Sequence, residues 1–240
     1  MSDDASPLSE RVATLPWSRV AEALDSEGVT TVTGLLSADE CASLVGLYDD
    51  AARFRSNVVM ARHGYGSGEY RYFDYPLPPL VATLRELVYP RLVPLANRWH
   101  EALGIEARFP DEHGAFVERC HAAGQTRPTP LLLRYEPGDY NRLHQDLYGE
   151  HAFPLQLAIL LSEPGRDFDG GELVLTEQRA RMQSRALVLT PEQGDAVLFA
   201  VRDRPVTSKR GYARAQMRHG VSKIKRGHRY TLGVIFHDAR

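Results

Sequence analysis

The sequence holds only two cysteines, Cys41 and Cys120, far apart in the chain and outside any Cys-x-x-Cys pair. Two isolated thiols do not make the disulfide framework of a small secreted domain, and they suit a reducing compartment. No apolar run approaches the ~20 residues that cross a bilayer. The opening, MSDDASPLSERVATLPW, is acidic and polar, without the charged-then-apolar pattern of a secretory leader. A cytoplasmic location with no membrane partner is therefore expected. A strong charge of one sign is missing too. At a net charge of −2 the chain as a whole is not steered toward nucleic acid, so any such attraction must come from a local cluster. Internal repeats and low-complexity tracts are absent.

What is present is enough for a sizeable core: 240 residues, 43% of them hydrophobic. Residues 1–16 are polar and are expected to fray, and 17–25 can form a short amphipathic helix. Val29–Thr33 is β-branched and reads as a strand. Ser37-Ala-Asp-Glu40 is a capping box before helical apolar spacing at Leu44, Val45, Leu47 and Tyr48. Residues 62–79, rich in Gly, Tyr and Pro, read as a loop with room for a short hairpin. Residues 80–103 have helical spacing, but Pro90 and Pro94 should kink or split that helix. Residues 111–124 read as another short helix.

The texture changes after Pro130. Short apolar runs recur between Gly, Pro and Asp turns: 131–135, 154–162, 171–176, 185–190, 194–201, 212–222 and 229–236. Such spacing predicts a sandwich or barrel rather than βαβ units. The expected fold is mainly β with α: a jelly roll of about eight strands flanked by N-terminal helices. The expected organisation is a flexible or short helical terminus (1–28), a helical support and substrate-loop region (29–128) and a jelly-roll core (129–240). The last two are expected to form one continuous domain.

His144-Gln-Asp146 follows a predicted strand and the turn EPGDYN. Alternate residues of a strand share a face, so both side chains can point one way. Two imidazoles and one carboxylate on one face of an octahedron leave three positions open, which suits non-haem Fe(II) binding a chelating co-substrate and O2 together. His219, in MRHGVS before a terminal basic strand, is the best third ligand. One H-x-D is expected by chance in a chain of this make-up, so its weight comes from its company. Arg229 and Thr231 would share a face of the last strand, and a guanidinium fork with a hydroxyl makes a clamp for a distal carboxylate. Tyr135 could donate its phenol to the same acid. Asp169-Gly-Gly-Glu172 marks a tight turn where backbone passes close to another element. Asn141, Gln156 and Asp195 are polar residues near the expected site to which the sequence gives no role.

HQD (144–146), FDGGELVL (168–175), GDAVLF (194–199), HGV (219–221) and RYTLGVIF (229–236), in this order and spacing, resemble the Fe(II)/2-oxoglutarate-dependent oxygenase superfamily. TVTGLLSADECASLVGLY (31–48) is similar to the opening of its prolyl-hydroxylase-like members. YEPGDYNRLHQD (135–146) is similar to the DNA-alkylation-repair dioxygenases. From those the chain departs at Leu133, where they usually carry asparagine, and at Ile235, at the spacing of their second arginine. As a whole the chain resembles a bacterial family labelled, by inference, a nucleic-acid oxygenase. The resemblance implies a double-stranded β-helix of cupin-like type with His144, Asp146 and His219 as Fe(II) ligands. It also implies 2-oxoglutarate on Arg229, Thr231 and Tyr135, and O2 as oxidant. The implied activity is a dioxygenase, an oxidoreductase that hydroxylates or oxidatively demethylates its substrate.

Residues 202–229 hold ten Lys/Arg against one acid, Asp203, and surround His219. A basic rim containing Arg214 and Arg218 is one expectation, with Arg62, Tyr65, Tyr70 and Tyr72 of the 62–75 loop stacking a single-stranded or flipped base. Two other readings stay open: hydroxylation of a protein side chain or small molecule, and a non-catalytic metal-holding cupin-like module. The intact triad and clamp argue for an enzyme.

Overall fold

A computed structural model of the chain describes residues 7–240. In chain order it contains α1 (Leu8–Thr14), α2 (Trp17–Glu27), β1 (Val29–Val32), α3 (Ala38–Gly46), β2 (Phe54–Val59), β3 (Gly66–Ser67), β4 (Glu69–Phe73), α4 (Pro79–Ala102) and α5 (His113–Ala122). Strands then dominate: β5 (Leu131–Tyr135), β6 (Tyr140–His144), β7 (Leu155–Leu160), β8 (Phe168–Gly170), β9 (Leu173–Arg179), β10 (Arg185–Leu189), β11 (Ala196–Ala200), β12 (Asp203–Ser208), β13 (Gly211–Val221), β14 (Ile224–Gly227) and β15 (Arg229–Val234). Among the described residues no helix is long and apolar enough to cross a membrane.

Seven strands form the larger sheet, in the order β1-β11-β7-β15-β5-β4-β2, with every pair antiparallel. The smaller sheet runs β10-β9-β13-β6-β3, with β12 added on β13. Together they make the jelly roll. All five residues of β11 are buried, as expected of a strand that α2 packs against. β13 alternates instead: Ala215, Met217 and His219 are buried while Arg214, Gln216 and Arg218 are exposed.

Several expectations from sequence need correction. Residues 8–14 do not fray: they form α1, because Leu8 and Val12 bury against the core; residues 1–6 lie outside the described residues. α4 is not split at Pro90 or Pro94 but runs unbroken over 24 residues. An internal proline costs about 3 kcal/mol. Burial of Leu84, Val88, Tyr89, Leu92, Val93, Leu95 and Trp99 offsets that cost, at roughly 1.5–3 kcal/mol per large apolar side chain. The 62–79 stretch is not simply a loop. β4 pairs with β2 and β5, extending the larger sheet, and β3 pairs with β6 in the smaller one. Residues 29–128 thus supply four strands to the jelly roll as well as helices.

The capping box forms as read, with Ser37 Oγ accepting from the Glu40 amide and the Glu40 carboxylate accepting from the Ser37 amide. At the other end, buried Arg85 of α4 pairs with buried Asp238 at 2.9 Å and donates to the Phe236 carbonyl at the same distance. Asp238 also accepts from Tyr75 at 2.7 Å and contacts His121 at 2.8 Å, so one carboxylate ties this C-terminal segment to α4 and α5.

Candidate active site

His144 ends β6, and its register partner on β13 is His219. Direct opposition puts the two rings on the same inner face, centroids 4.2 Å apart. The chain then leaves the sheet and returns Asp146 inward, where it is 8% exposed. One Asp146 oxygen lies 3.2 Å from His219 Nε2 and the other 3.5 Å from His144 Nε2. Three potential ligand atoms, one per residue, fall within 4.8 Å of one another. His144 Nδ1 is 2.8 Å from the Arg142 carbonyl, which fixes the proton there and leaves the Nε2 lone pair for the centre. Gln145, between the two, donates to the Met217 carbonyl at 2.8 Å and so ties this turn to the strand that carries His219.

The electrostatics favour the ligating forms of Asp146 and His219, whereas His144 is raised, burial being outweighed by its hydrogen bond to Asp146 and that carboxylate's charge. Burial alone would raise the Asp146 carboxyl, but hydrogen bonding and charge from both imidazoles hold it well below the usual carboxylate range. Burial lowers His219, and neighbouring His144 lowers it further, against the pull of Asp146. An ionised carboxylate and a neutral imidazole result.

Arg229 opens β15 opposite Tyr135 of β5. It is 3% exposed, yet among the described residues no carboxylate is in direct contact with it, Glu172 acting on it only through its charge. Its Nη1 donates to Thr231 Oγ1 at 2.6 Å, and its Nε is buried without a partner. Burial pushes the guanidinium down to about 10, still charged at neutral pH. The Asp-Gly-Gly turn accounts for how so large a group fits: Gly171, at φ +66°, lies where a Cβ would come within 2.8 Å of Arg229 Cδ and 2.3 Å of Ile224 Cδ1. Tyr135 is fully buried with its phenol driven up to about 12, chiefly by burial, and so stays protonated; Asn141 donates to it at 3.4 Å.

One cavity of about 320 Å³ gathers the cluster and the arginine, and its remaining wall is largely apolar, from Leu133, Leu160, Leu173, Val197 and Phe199 among others. His144, Asp146, His219, Arg229, Thr231 and Tyr135 all reach it. The candidate substrate residues divide. Tyr65 and Tyr70 line the cavity; Arg62, Tyr72, Arg214 and Arg218 do not. Tyr72 is buried, its hydroxyl bonded to Tyr148. Arg214 and Arg218 stand on the face of β13 opposite His219, and Arg214 pairs with Asp203 at 3.2 Å. The expected basic rim is therefore not built by those two, since residues one or five positions from His219 in a strand point the other way. Asp195 accepts from the Gly34 and Glu192 amides and serves a turn.

Sequence reasoning missed Tyr148, which donates to Asp146 at 2.7 Å, and gave no role to Gln156, which donates to its other oxygen at 2.9 Å. It also missed Arg142, exposed and without an ion pair among the described residues, whose amide donates to the Tyr65 carbonyl at 2.8 Å.

Fold and cavity together define a jelly-roll protein with a His-Asp-His cluster and a buried arginine in one chamber. The chain belongs to the Oxygenase-NA family, described as an oxygenase catalysing oxidative methylation of damaged DNA, which matches residues 68–239. An uncharacterized protein of Mycobacterium tuberculosis is 49% identical over 167 residues, 70% of this chain and 72% of that one. Similar solved structures include a Pseudomonas putida prolyl-4-hydroxylase (18% identity, TM-score 0.53, covering 93% of this chain and 99% of that one). A 2OG-Fe(II) oxygenase family oxidoreductase of Burkholderia pseudomallei is alike (17%, TM-score 0.52, 94% and 93%). A Trichoplax adhaerens prolyl hydroxylase also matches (14%, TM-score 0.54, 98% and 93%). At these identities the structures speak to the fold.

Proposed function

We propose that the chain is an Fe(II)- and 2-oxoglutarate-dependent dioxygenase that oxidises a C–H bond, with an alkylated nucleic-acid base as substrate. The observation that carries the reading is a buried arginine with no carboxylate in direct contact among the described residues, in the same chamber as two imidazoles and a carboxylate. The donor set fits the metal: two nitrogens and one oxygen leave room for a bidentate co-substrate and O2. The orphaned Arg229 Nε fits a carboxylate, because a desolvated guanidinium is stabilised most by a charge-assisted fork.

His144, Asp146 and His219 would hold the iron. Iron with 2-oxoglutarate and O2 supplies oxidative decarboxylation to succinate and CO2 and delivers one oxygen atom to the substrate. Arg229 and Thr231 bind the far carboxylate, and Tyr135 donates its phenol to the same acid. The leucine, valine and phenylalanine walls exclude water from the reacting centre.

Two features support a nucleobase. The family description names damaged DNA. At the mouth, the His63 and Tyr65 rings stack at 5.3 Å, and Tyr65 is 50% exposed. Backbone bonding sets the exposed Arg142 beside Tyr65. Exposed ring faces, with an exposed arginine on the strand bonded to their loop, suit an extruded base and its phosphate.

The test is a succinate-release screen over methylated single-stranded oligonucleotides, peptides and small metabolites. Turnover with an oligonucleotide, reduced about tenfold or more by Tyr65→Ala and made less salt-sensitive by Arg142→Gln, is the expected result. Turnover confined to peptides or metabolites overturns the base; no substrate-stimulated succinate from any class overturns the dioxygenase.

A further inference from the structure

The Asp146 carboxylate is held by two donors that no part of the motif specifies. One oxygen accepts from the Tyr148 hydroxyl at 2.7 Å, the other from Gln156 Nε2 at 2.9 Å. The Tyr148 oxygen accepts in turn from the Tyr72 hydroxyl at 2.9 Å. Tyr72, on β4, is fixed by the Arg55 guanidinium 4.4 Å over its ring and by the edge of the Tyr70 ring at 5.4 Å. The backbone between Asp146 and β7 is clamped as well. Fully buried Gln125 donates to the Tyr148 and His151 carbonyls at 3.3 and 3.1 Å and accepts from the His151 amide at 2.8 Å. Gly149, at φ +122°, lies against that amide group, and a Cβ there would sit 2.5 Å from Gln125 Cδ.

We infer that Tyr148, backed by Tyr72, is a positioning residue that fixes the Asp146 carboxylate for metal binding. The inference rests on the metal reading above. Asp146 lies just beyond the end of its strand, where no ladder hydrogen bond restrains it. A carboxylate free to turn presents one oxygen or both to a cation, or drifts toward the neighbouring imidazoles. With one donor on each oxygen the turn is blocked, and a fixed lone pair remains on the side of His144 and His219. The hydroxyl pair also joins the N-terminal β4 to the ligand turn, so an element outside the H-x-D and HGV segments governs the centre. Groups that orient ligands from outside the coordination sphere typically change metal affinity 10–100-fold.

The experiment compares the full chain with Tyr148→Phe and Tyr72→Phe, using Mn(II) calorimetry and the visible absorption of bound Co(II), without turnover. The Tyr148→Phe change keeps the ring against Tyr72 and His237 and removes only the donor. The expected result for Tyr148→Phe is about 10–100-fold weaker Mn(II) binding and a changed Co(II) band, with metal-free melting near that of the parent. Tyr72→Phe should move both readouts the same way by a smaller amount. Parental affinity and spectrum in Tyr148→Phe overturn the inference, and if that variant does not fold, the same result in Tyr72→Phe does. Absence of Mn(II) and Co(II) binding in the parent chain overturns the metal reading itself, a separate outcome.

Discussion

His219 Nε2 lies 3.2 Å from a carboxylate oxygen of Asp146, although one residue sits near the C-terminal end of a long strand and the other just beyond the strand beside it. Strand register makes the contact: His219 faces His144 directly, and Asp146 follows His144 by two positions. Any slip of β13 against β6 by one residue would turn His219 out of the chamber.

His219→Ala and Asp146→Ala should therefore each leave the fold intact and lose more than ~100-fold in Fe(II) affinity, beyond what outer groups alone control. Anaerobic Fe(II) titration reads this, together with the visible charge-transfer band expected of Fe(II) with 2-oxoglutarate. A band of parental intensity in either variant would remove that residue from the ligand set.

Arg229→Met separates a ligand clamp from a structural arginine. A desolvated charge without a partner costs stability, so the ligand-free variant should melt at or above the parent temperature. Its 2-oxoglutarate affinity should fall about 100-fold, the few kcal/mol carried by a buried charge-assisted pair. A steep drop in ligand-free melting with unchanged affinity would mean that Arg229 serves the fold alone.

Gly171→Ala should act through Arg229. The left-handed conformation costs an L residue roughly 1–2 kcal/mol, and the new methyl would displace Arg229 Cδ and Ile224 Cδ1. Weaker 2-oxoglutarate binding with Mn(II) affinity unchanged is expected, read by calorimetry on the same sample; an equal loss of both would indicate a general loosening of the β9–β13 region.

Acid should weaken the fold before the buried carboxylates of Asp146 and Asp238, both held below their usual range, are protonated. Burial, with the Arg85 charge adding to it, pushes His113 and His237 down from 6.5 to about 4. His237 Nδ1 accepts from the Phe153 amide at 3.1 Å, which only the neutral ring can do. The folded pKa lies below the unfolded one, so between about pH 6.5 and 4 the unfolded chain binds more protons. This stability is full above 6.5 and lost as pH falls toward 4. Denaturant melts of metal-free protein across that range should show the decline, and His113→Gln should flatten it; a pH-independent midpoint would contradict it.

Much of this was legible along the chain, and the reason differs by element. β7, β9, β11 and β15 announced themselves because buried sheet needs apolar runs bounded by turns. Asp169-Gly-Gly predicted a close approach, and Arg229 is what approaches. The outward aim of Arg218 was legible too: neighbours in a strand face opposite ways, so a residue adjacent to His219 could not share its side. The unbroken α4 was not, since propensity at Pro90 and Pro94 is local while the burial that overrides it comes from the sheet and from α1 and α2.

The sequence alone determined which residue types the chemistry could draw on and the strand periodicity that gives each of them a face, because both are properties of neighbours along the chain. Only the tertiary structure decided that His219 meets His144, that Tyr72 reaches Tyr148, and that Arg229 has, among the described residues, no carboxylate in direct contact. These depend on register between distant strands and on which groups burial denies to water, and neither is encoded in any short stretch of residues.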